Sequence, residues 1–145
     1  MQNKLSSSLE DYLEAAYTLC REAGHAKPSA IGRLLGVSKP SVSSAVRALA
    51  ARGLLQQQRY GSVRLTPAGL AAGAEIAGRH SMLKEFFVSV LGMDPAEAER
   101  DACRAEHALS PQALGRLGAL GEFLRATRRR AALAAARRSM PGRRP

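Results

Sequence analysis

Gly36-Val37-Ser38 leaves room only for a tight turn, and it joins two segments that both read as short helices. The first, Ser29 to Leu35, begins on a residue type that caps helix N-termini and stops at Gly36. The second starts from a Ser38 cap and runs to Arg52, with Val42, Val46 and Leu49 at helical spacing and Gly53 after its end. Ahead of both, Ser7 or Ser8 opens a helix to Ala23 with the stripe Leu9, Tyr12, Leu13, Ala16 and Cys20, stopped by Gly24. Three short helices with a tight turn before the third is the helix-turn-helix layout.

The segments after Gly53 narrow the fold further. Leu54 to Gln58 and Val63-Arg64-Leu65 are β-capable runs around Arg59-Tyr60-Gly61-Ser62, a hairpin that serves as a wing. Thr66-Pro67 starts a long helix, with Leu83, Phe86, Phe87, Val90 and Leu91 as an apolar stripe. Asp94-Pro95-Ala96-Glu97 opens the next helix in capping-box style, and Ser110-Pro111 opens another. The expected fold class is mainly α: an N-terminal winged helix-turn-helix with a small β-hairpin wing, then an α-helical second domain. Residues 1–70 form the first domain, 71–124 the second, and 125–145 an Arg-rich tail, a fraying helix with a partly disordered end at Pro141-Gly142-Arg143-Arg144-Pro145.

Charge separates these regions into different surfaces. The net charge of +10 gathers in residues 21–69, with eight Lys or Arg against Glu22, and in residues 125–145, with eight Arg and no acid. Residues 70–124 reverse the sign, with eight acidic side chains against five basic ones. The basic block suits phosphates and the acidic block suits cations. There is no signal segment and no apolar run of membrane-spanning length, so no membrane partner is expected. Cys20 and Cys103 lack a disulfide-framework spacing, which points to a reduced, cytoplasmic setting.

Within the acidic block, Cys103, Glu106 and His107 fall at i, i+3 and i+4. On a helix this gathers a thiolate, a carboxylate and an imidazole on one face, as a transition-metal site requires. Taken alone, the same spacing also fits a helix with a buried cysteine and a solvated edge. In the basic block, Ser38, Lys39, Pro40, Ser41, Ser44 and Arg47 lie on the outward side of the third helix, where small hydroxyls let it approach base edges. Arg59, Tyr60 and Arg64 on the wing are candidates for phosphate contact, which positions the protein without specifying sequence. Double-stranded operator DNA is the expected partner. Cys20 reads as core and His25 as a surface loop residue.

Ser8-Leu9-Glu10-Asp11-Tyr12-Leu13-Glu14, Leu35 to Ser43, Leu65-Thr66-Pro67, Arg79-His80 and the Cys103-Glu106-His107 stretch occur in an order that resembles the metal-dependent repressors typified by the diphtheria toxin repressor and the manganese transport regulator. The resemblance covers roughly residues 5–124. It implies a homodimer in which a divalent metal ties the first helix to the dimerisation helices. By position, Asp11 and Glu14 match first-helix ligands of the manganese branch, His80 a long-helix ligand, and Glu106 and His107 ligands of both branches. Cys103 follows the iron branch, whereas the manganese branch has Glu there. Lys84 departs from the pattern, standing where the iron branch has a ligating Glu. The chain is also too short for the third domain of many iron-branch proteins, and with the first-helix carboxylates this tilts the expectation towards manganese.

The residues and the resemblance together imply a metal-activated DNA-binding repressor of manganese or iron homeostasis, not an enzyme. Its cofactor is Mn²⁺ or Fe²⁺, with Zn²⁺, Co²⁺ or Ni²⁺ binding in vitro. Two alternatives stand beside it: a winged-helix regulator sensing an oxidant or organic ligand through Cys103, and a small metallohydrolase. The metallohydrolase lacks an evident general base once the ligands are assigned. The dimer interface is expected on the stripe of Leu83, Phe86 and Phe87 together with the helix opened by Asp94.

Overall fold

The computed structural model describes residues 5–139 of the chain. The chain forms two compact units, with the boundary between Gly78 and Arg79. That boundary falls inside a helix, beyond the residue-70 boundary read from the sequence.

The first unit opens with α1 (Ser7–Ala23). Its N-cap is Ser6, not Ser7 or Ser8: the Ser6 hydroxyl accepts from the Leu9 amide at 3.3 Å. Three adjacent serines offer similar caps, and the helix begins after the first of them, with Tyr12, Leu13, Ala15 and Ala16 buried. Next, α2 (Pro28–Leu35) starts one residue ahead of the expected Ser29 cap, because Pro28 supplies a preset φ and needs no N–H partner at the first helical position. Gly36 then takes a left-handed conformation (φ 65°) that reverses the chain into α3 (Lys39–Ala51). Ser38 caps α3 as expected, accepting from the Ser41 amide at 3.4 Å.

The wing consists of β1 (Leu55–Gln57) and β2 (Val63–Leu65), antiparallel with Gln56 opposite Arg64, joined through a short helical turn at Arg59–Gly61. Ala26 adds a single bridge to Val63, with both backbone hydrogen bonds at 2.9 Å. That bridge anchors the hairpin to the loop after α1. Leu13, Ile31, Val42, Leu49 and Val63 form the centre of this unit's core. Burying each contributes about 1.5–3 kcal/mol relative to exposure.

One helix, α4 (Pro67–Ser89), leaves the first unit and enters the second. Thr66 fixes its start: the hydroxyl donates to the Gly53 carbonyl at 2.6 Å and accepts from the Gly69 amide at 3.0 Å. Gly69 lies so near the chain leading into β1 that a Cβ there would sit 1.8 Å from the Leu54 carbonyl oxygen.

The second unit holds the rest of α4, then α5 (Pro95–Ala108) and α6 (Pro111–Ser139). Asp94 caps α5 by accepting from the Ala96 and Glu97 amides at 2.9 and 3.3 Å, and Ser110 caps α6 through the Ala113 amide at 3.2 Å. Leu83, Ala102 and Leu114 form its core, flanked by Met82, Phe87, Ala105, Leu109 and Leu117. For Leu83 and Phe86 the interface expectation is therefore corrected. Leu83 and Phe86 are 0% and 7% exposed within one chain, so they are already committed to its own core. The large apolar side chains of this unit left in water among the described residues are Leu120, Phe123 and Leu133 on α6, and Leu91, which lies past the end of α4 where Gly92 (φ 71°) turns the chain.

Through Ser139, α6 continues into the Arg-rich segment, a run of Ala and Arg that favours helix. Arg125 pairs with Glu85 at 3.1 Å and Arg128 donates to the Ser89 carbonyl at 2.5 Å, both tying α6 to the end of α4. The expected disordered end at 141–145 lies outside the described residues. No helix among the described residues is long and apolar enough to cross a membrane.

Candidate metal centre and nucleic-acid interface

Glu106 is the centre of the second unit's polar chemistry. It lies on the inward face of α5, continuing the four-residue spacing of Ala98 and Ala102, and is 2% exposed. A carboxylate this deep needs partners, because desolvation disfavours the charged form. One oxygen, Oε2, lies 3.0 Å from His80 Nδ1 on α4. The other, Oε1, lies 3.3 Å from His107 Nε2 but has no hydrogen-bond partner among the described residues. A buried carboxylate oxygen left without a hydrogen bond is a rare arrangement that calls for a reason.

The donor set fits a metal ion. Two ligand atoms each about 2.0–2.2 Å from an ion, at right angles around it, stand about 3 Å apart. The His80–Glu106 spacing of 3.0 Å has that value. His107 is half-buried beside them, and Cys103 lies one helical turn earlier on α5 with its side chain exposed. That exposure removes the reading of Cys103 as a buried core cysteine. Asp11 and Glu14 sit in the first unit at i, i+3 on α1, both half-buried. His80, also half-buried, is held between two carboxylates, which is not the setting of an inert core histidine.

Of the residues around His80, Glu99 was missed in the sequence, and Lys84 stood there only as a departure from the family pattern. Glu99 accepts from His80 Nε2 at 2.9 Å, and Lys84 meets the second Glu99 oxygen at 2.6 Å. The Lys84 ammonium, and after it the neighbouring His80, hold the Glu99 carboxyl below its ordinary range. A signal existed: Glu99 precedes Cys103 by four residues and Glu106 by seven, which is one helix face, and Lys84 follows His80 by four.

The first unit presents a different surface. Ser38, Lys39, Pro40, Ser41, Ser44 and Arg47 are all exposed on or beside α3, and Arg59, Tyr60 and Arg64 are exposed on the hairpin. The Ser38 hydroxyl is engaged in capping and meets the Ser41 hydroxyl at 2.8 Å, so its geometry is fixed by the helix it starts. Tyr60 at the wing tip is wholly exposed and adopts φ 65°, a conformation that costs a non-glycine residue about 1 kcal/mol or more. Cys20 is half-buried against the core and donates to the Val63 carbonyl at 3.8 Å, while burial pushes its thiol up. His25 is half-buried, with its Nδ1 3.1 Å from the Ala23 carbonyl.

Residues 4–63 match the iron dependent repressor N-terminal DNA binding domain, and residues 66–130 match the iron dependent repressor metal binding and dimerisation domain. The chain is 35% identical over 116 residues to the HTH-type transcriptional regulator MntR of Listeria monocytogenes serotype 4a, covering 80% of this chain and 81% of that protein. It is 33% identical over 114 residues to an uncharacterised HTH-type transcriptional regulator of Methanocaldococcus jannaschii, covering 78% and 91% respectively. A solved manganese-dependent transcriptional repressor in complex with manganese superposes with a TM-score of 0.70 at 32% identity, over 79% of this chain and 53% of that one. The chain spans about half the length of several of the solved structures it matches, the manganese-bound repressor among them. With an N-terminal winged helix-turn-helix and a C-terminal metal-binding and dimerisation domain, the chain belongs to the iron-dependent repressor family of DNA-binding transcriptional regulators.

Proposed function

We propose that this chain is a metal-activated repressor of manganese or iron homeostasis, acting in the cytoplasm as a homodimer on double-stranded operator DNA. Its proposed ligands are Asp11, Glu14, His80, Cys103, Glu106 and His107. The observation that carries this reading is the buried Glu106 carboxylate, with one oxygen facing His80 at 3.0 Å and the other without a hydrogen bond. A bound divalent ion supplies the positive charge that this carboxylate otherwise lacks.

The residues do the rest. Glu106 and His80 orient one another, and His107 follows Glu106 on the same helix to offer a further nitrogen. Carboxylates and imidazoles favour Mn²⁺ and Fe²⁺, whereas the Cys103 thiolate draws the set towards softer ions, so Zn²⁺, Co²⁺ and Ni²⁺ are expected to bind in vitro. In the first unit, Ser38, Lys39, Pro40, Ser41, Ser44 and Arg47 face base edges, while Arg59, Tyr60 and Arg64 contact the backbone. The exposed Leu120 and Phe123 on α6 supply apolar surface for the second copy. Metal and DNA affinities are linked, so operator DNA must tighten metal binding by the factor with which metal tightens DNA binding.

Anaerobic titration of Mn²⁺ and Fe²⁺ into a binding assay on DNA from the gene's own upstream region tests this reading. Glu106→Gln should abolish the metal dependence. Full operator binding in the presence of a chelator, equal for the native chain and Glu106→Gln, refutes it.

A further inference from the structure

Four side chains of the second unit form a line from water to the interior. Lys84 (43% exposed) meets Glu99 (50%) at 2.6 Å, Glu99 meets His80 (14%) at 2.9 Å, and His80 meets Glu106 (1%) at 3.0 Å. The two ends of the His80 ring therefore face different partners. Nε2 points to the exposed carboxylate and Nδ1 to the buried one.

We infer that Lys84 and Glu99 are a positioning pair that sets the ring orientation and tautomer of His80, so that Nδ1 is the nitrogen offered to the metal. The inference rests on the reading of His80 as a ligand. An ionised carboxylate accepts hydrogen bonds and donates none, so the nitrogen facing Glu99 must carry a proton. A neutral imidazole has one N–H, and fixing it at Nε2 leaves the lone pair on Nδ1. That lone pair faces Glu106 Oε2 at 3.0 Å, a spacing that needs a proton or a cation between the two atoms.

Lys84 completes the device. Its ammonium holds the second oxygen of Glu99, which stops the carboxylate from rotating away from His80. An ion pair this exposed contributes little to stability, commonly under about 1 kcal/mol, so orientation is its larger effect. Lys84 and His80 share a face of α4 at i, i+4, while Glu99 comes from α5. The ring is thus fixed by two helices at once. Without Glu99 nothing holds the proton at Nε2: the Nδ1–H tautomer, or a half-turn about the bond to Cβ that puts Cδ2–H where Nδ1 stood, then presents a hydrogen to the metal position in part of the population.

The test uses the full chain and its Glu99→Ala, Lys84→Ala and His80→Ala variants. Mn²⁺ affinity is measured by calorimetry, and the His80 tautomer by ¹H–¹⁵N long-range correlation on the Zn²⁺-loaded protein, Zn²⁺ being diamagnetic. The native chain should show Nε2 protonated and Nδ1 coordinated. Glu99→Ala should mix the two orientations and weaken Mn²⁺ binding about 10- to 100-fold, the range for lost partners of ligating histidines. Lys84→Ala should produce a smaller change of the same kind, with melting temperature nearly unchanged in both. An unaltered tautomer in Glu99→Ala overturns the inference, whatever happens to affinity, and an unaltered Lys84→Ala removes Lys84 from the pair. If His80→Ala binds Mn²⁺ as the native chain does, the ligand reading itself fails. If only Glu99→Ala is silent, the ligand reading stands and the positioning role falls.

Discussion

Gly69 and Gly78 lie on the same helix, and the same substitution should have opposite signs at the two positions. At Gly78 a Cβ meets nothing within 4 Å. Alanine there restricts the unfolded chain and suits the helix, a gain of about 0.4–1 kcal/mol. At Gly69 a Cβ stands 1.8 Å from the Leu54 carbonyl oxygen and 2.8 Å from its carbonyl carbon. Carbon–oxygen contacts settle at about 3.3 Å or more, so α4 and the chain entering β1 must separate by roughly 1.5 Å. The obstacle is backbone, which cannot rotate aside as a side chain does. Overpacking costs about 1–3 kcal/mol and more where backbone moves. Even after the helix gain is subtracted, Gly69→Ala should be destabilised by about 2 kcal/mol. The two variants should then differ by about 3 kcal/mol, or roughly 6–12 °C in melting temperature for a chain of this size. Thermal melting and urea titration followed by circular dichroism measure the gap. Gly69→Ala should also weaken operator binding, since the displaced segment leads into the wing, while leaving Glu106 and His80 untouched. A Gly69→Ala protein as stable as Gly78→Ala would refute the reasoning, because no other contact at that position opposes the gain.

Arg59→Ala should weaken binding to all DNA sequences about equally and reduce the salt slope by about 1, whereas Ser44→Ala should alter sequence preference; fluorescence anisotropy at several salt concentrations separates them, and equal loss of discrimination from both contradicts the division between wing and α3. Cys103→Ala should weaken metal-activated DNA binding with little change in melting temperature, since the side chain is exposed. Cys103→Glu should restore activation and favour Mn²⁺ over softer ions, and unchanged selectivity in a folded Glu variant excludes the thiolate as a ligand. Removing residues 128–145 should lower non-specific DNA affinity and spare the metal response, because the segment carries cations with no acid among them. An unchanged background removes that role from the tail.

Local rules determined most of the first unit. Gly24, Gly36 and Ser38 act within one turn of themselves, so the helix ends they set were legible without tertiary information. The exceptions had competing local solutions, as with the run of serines before α1, or depended on a single long-range contact, as with the Ala26–Val63 bridge. In the second unit, spacing placed Cys103, Glu106 and His107 together, and Cys103 Sγ does lie within 4.8 Å of a Glu106 carboxylate oxygen, but only Glu106 is enclosed. Periodicity says which residues share a face, not which of them another helix covers. For the same reason the stripe of Leu83 and Phe86 suggested an interface, when α5 and α6 of the same chain supply the neighbours of Leu83 in the core. Glu99 escaped notice, and Lys84 stood only as a departure from the family pattern, because an acid and a base on solvated helix faces look alike everywhere until distances join them.

The open oxygen of Glu106 has a consequence for how such a sensor can be improved. A leucine-sized side chain in that position would remove a desolvated charge, and replacements of this kind are often neutral or stabilising. On the proposed ligand role of Glu106, the protein without its ion is softer than its fold requires, and that softness is where its capacity to respond would reside: the free energy withheld from the empty protein is the free energy that loading would release. A laboratory search for heat-resistant variants in chelator would drift towards Glu106→Leu or its like and return proteins that are sturdier and deaf. The same search with metal present would keep Glu106, because there the carboxylate contributes to stability. Endurance and responsiveness in this chain compete for one buried oxygen atom.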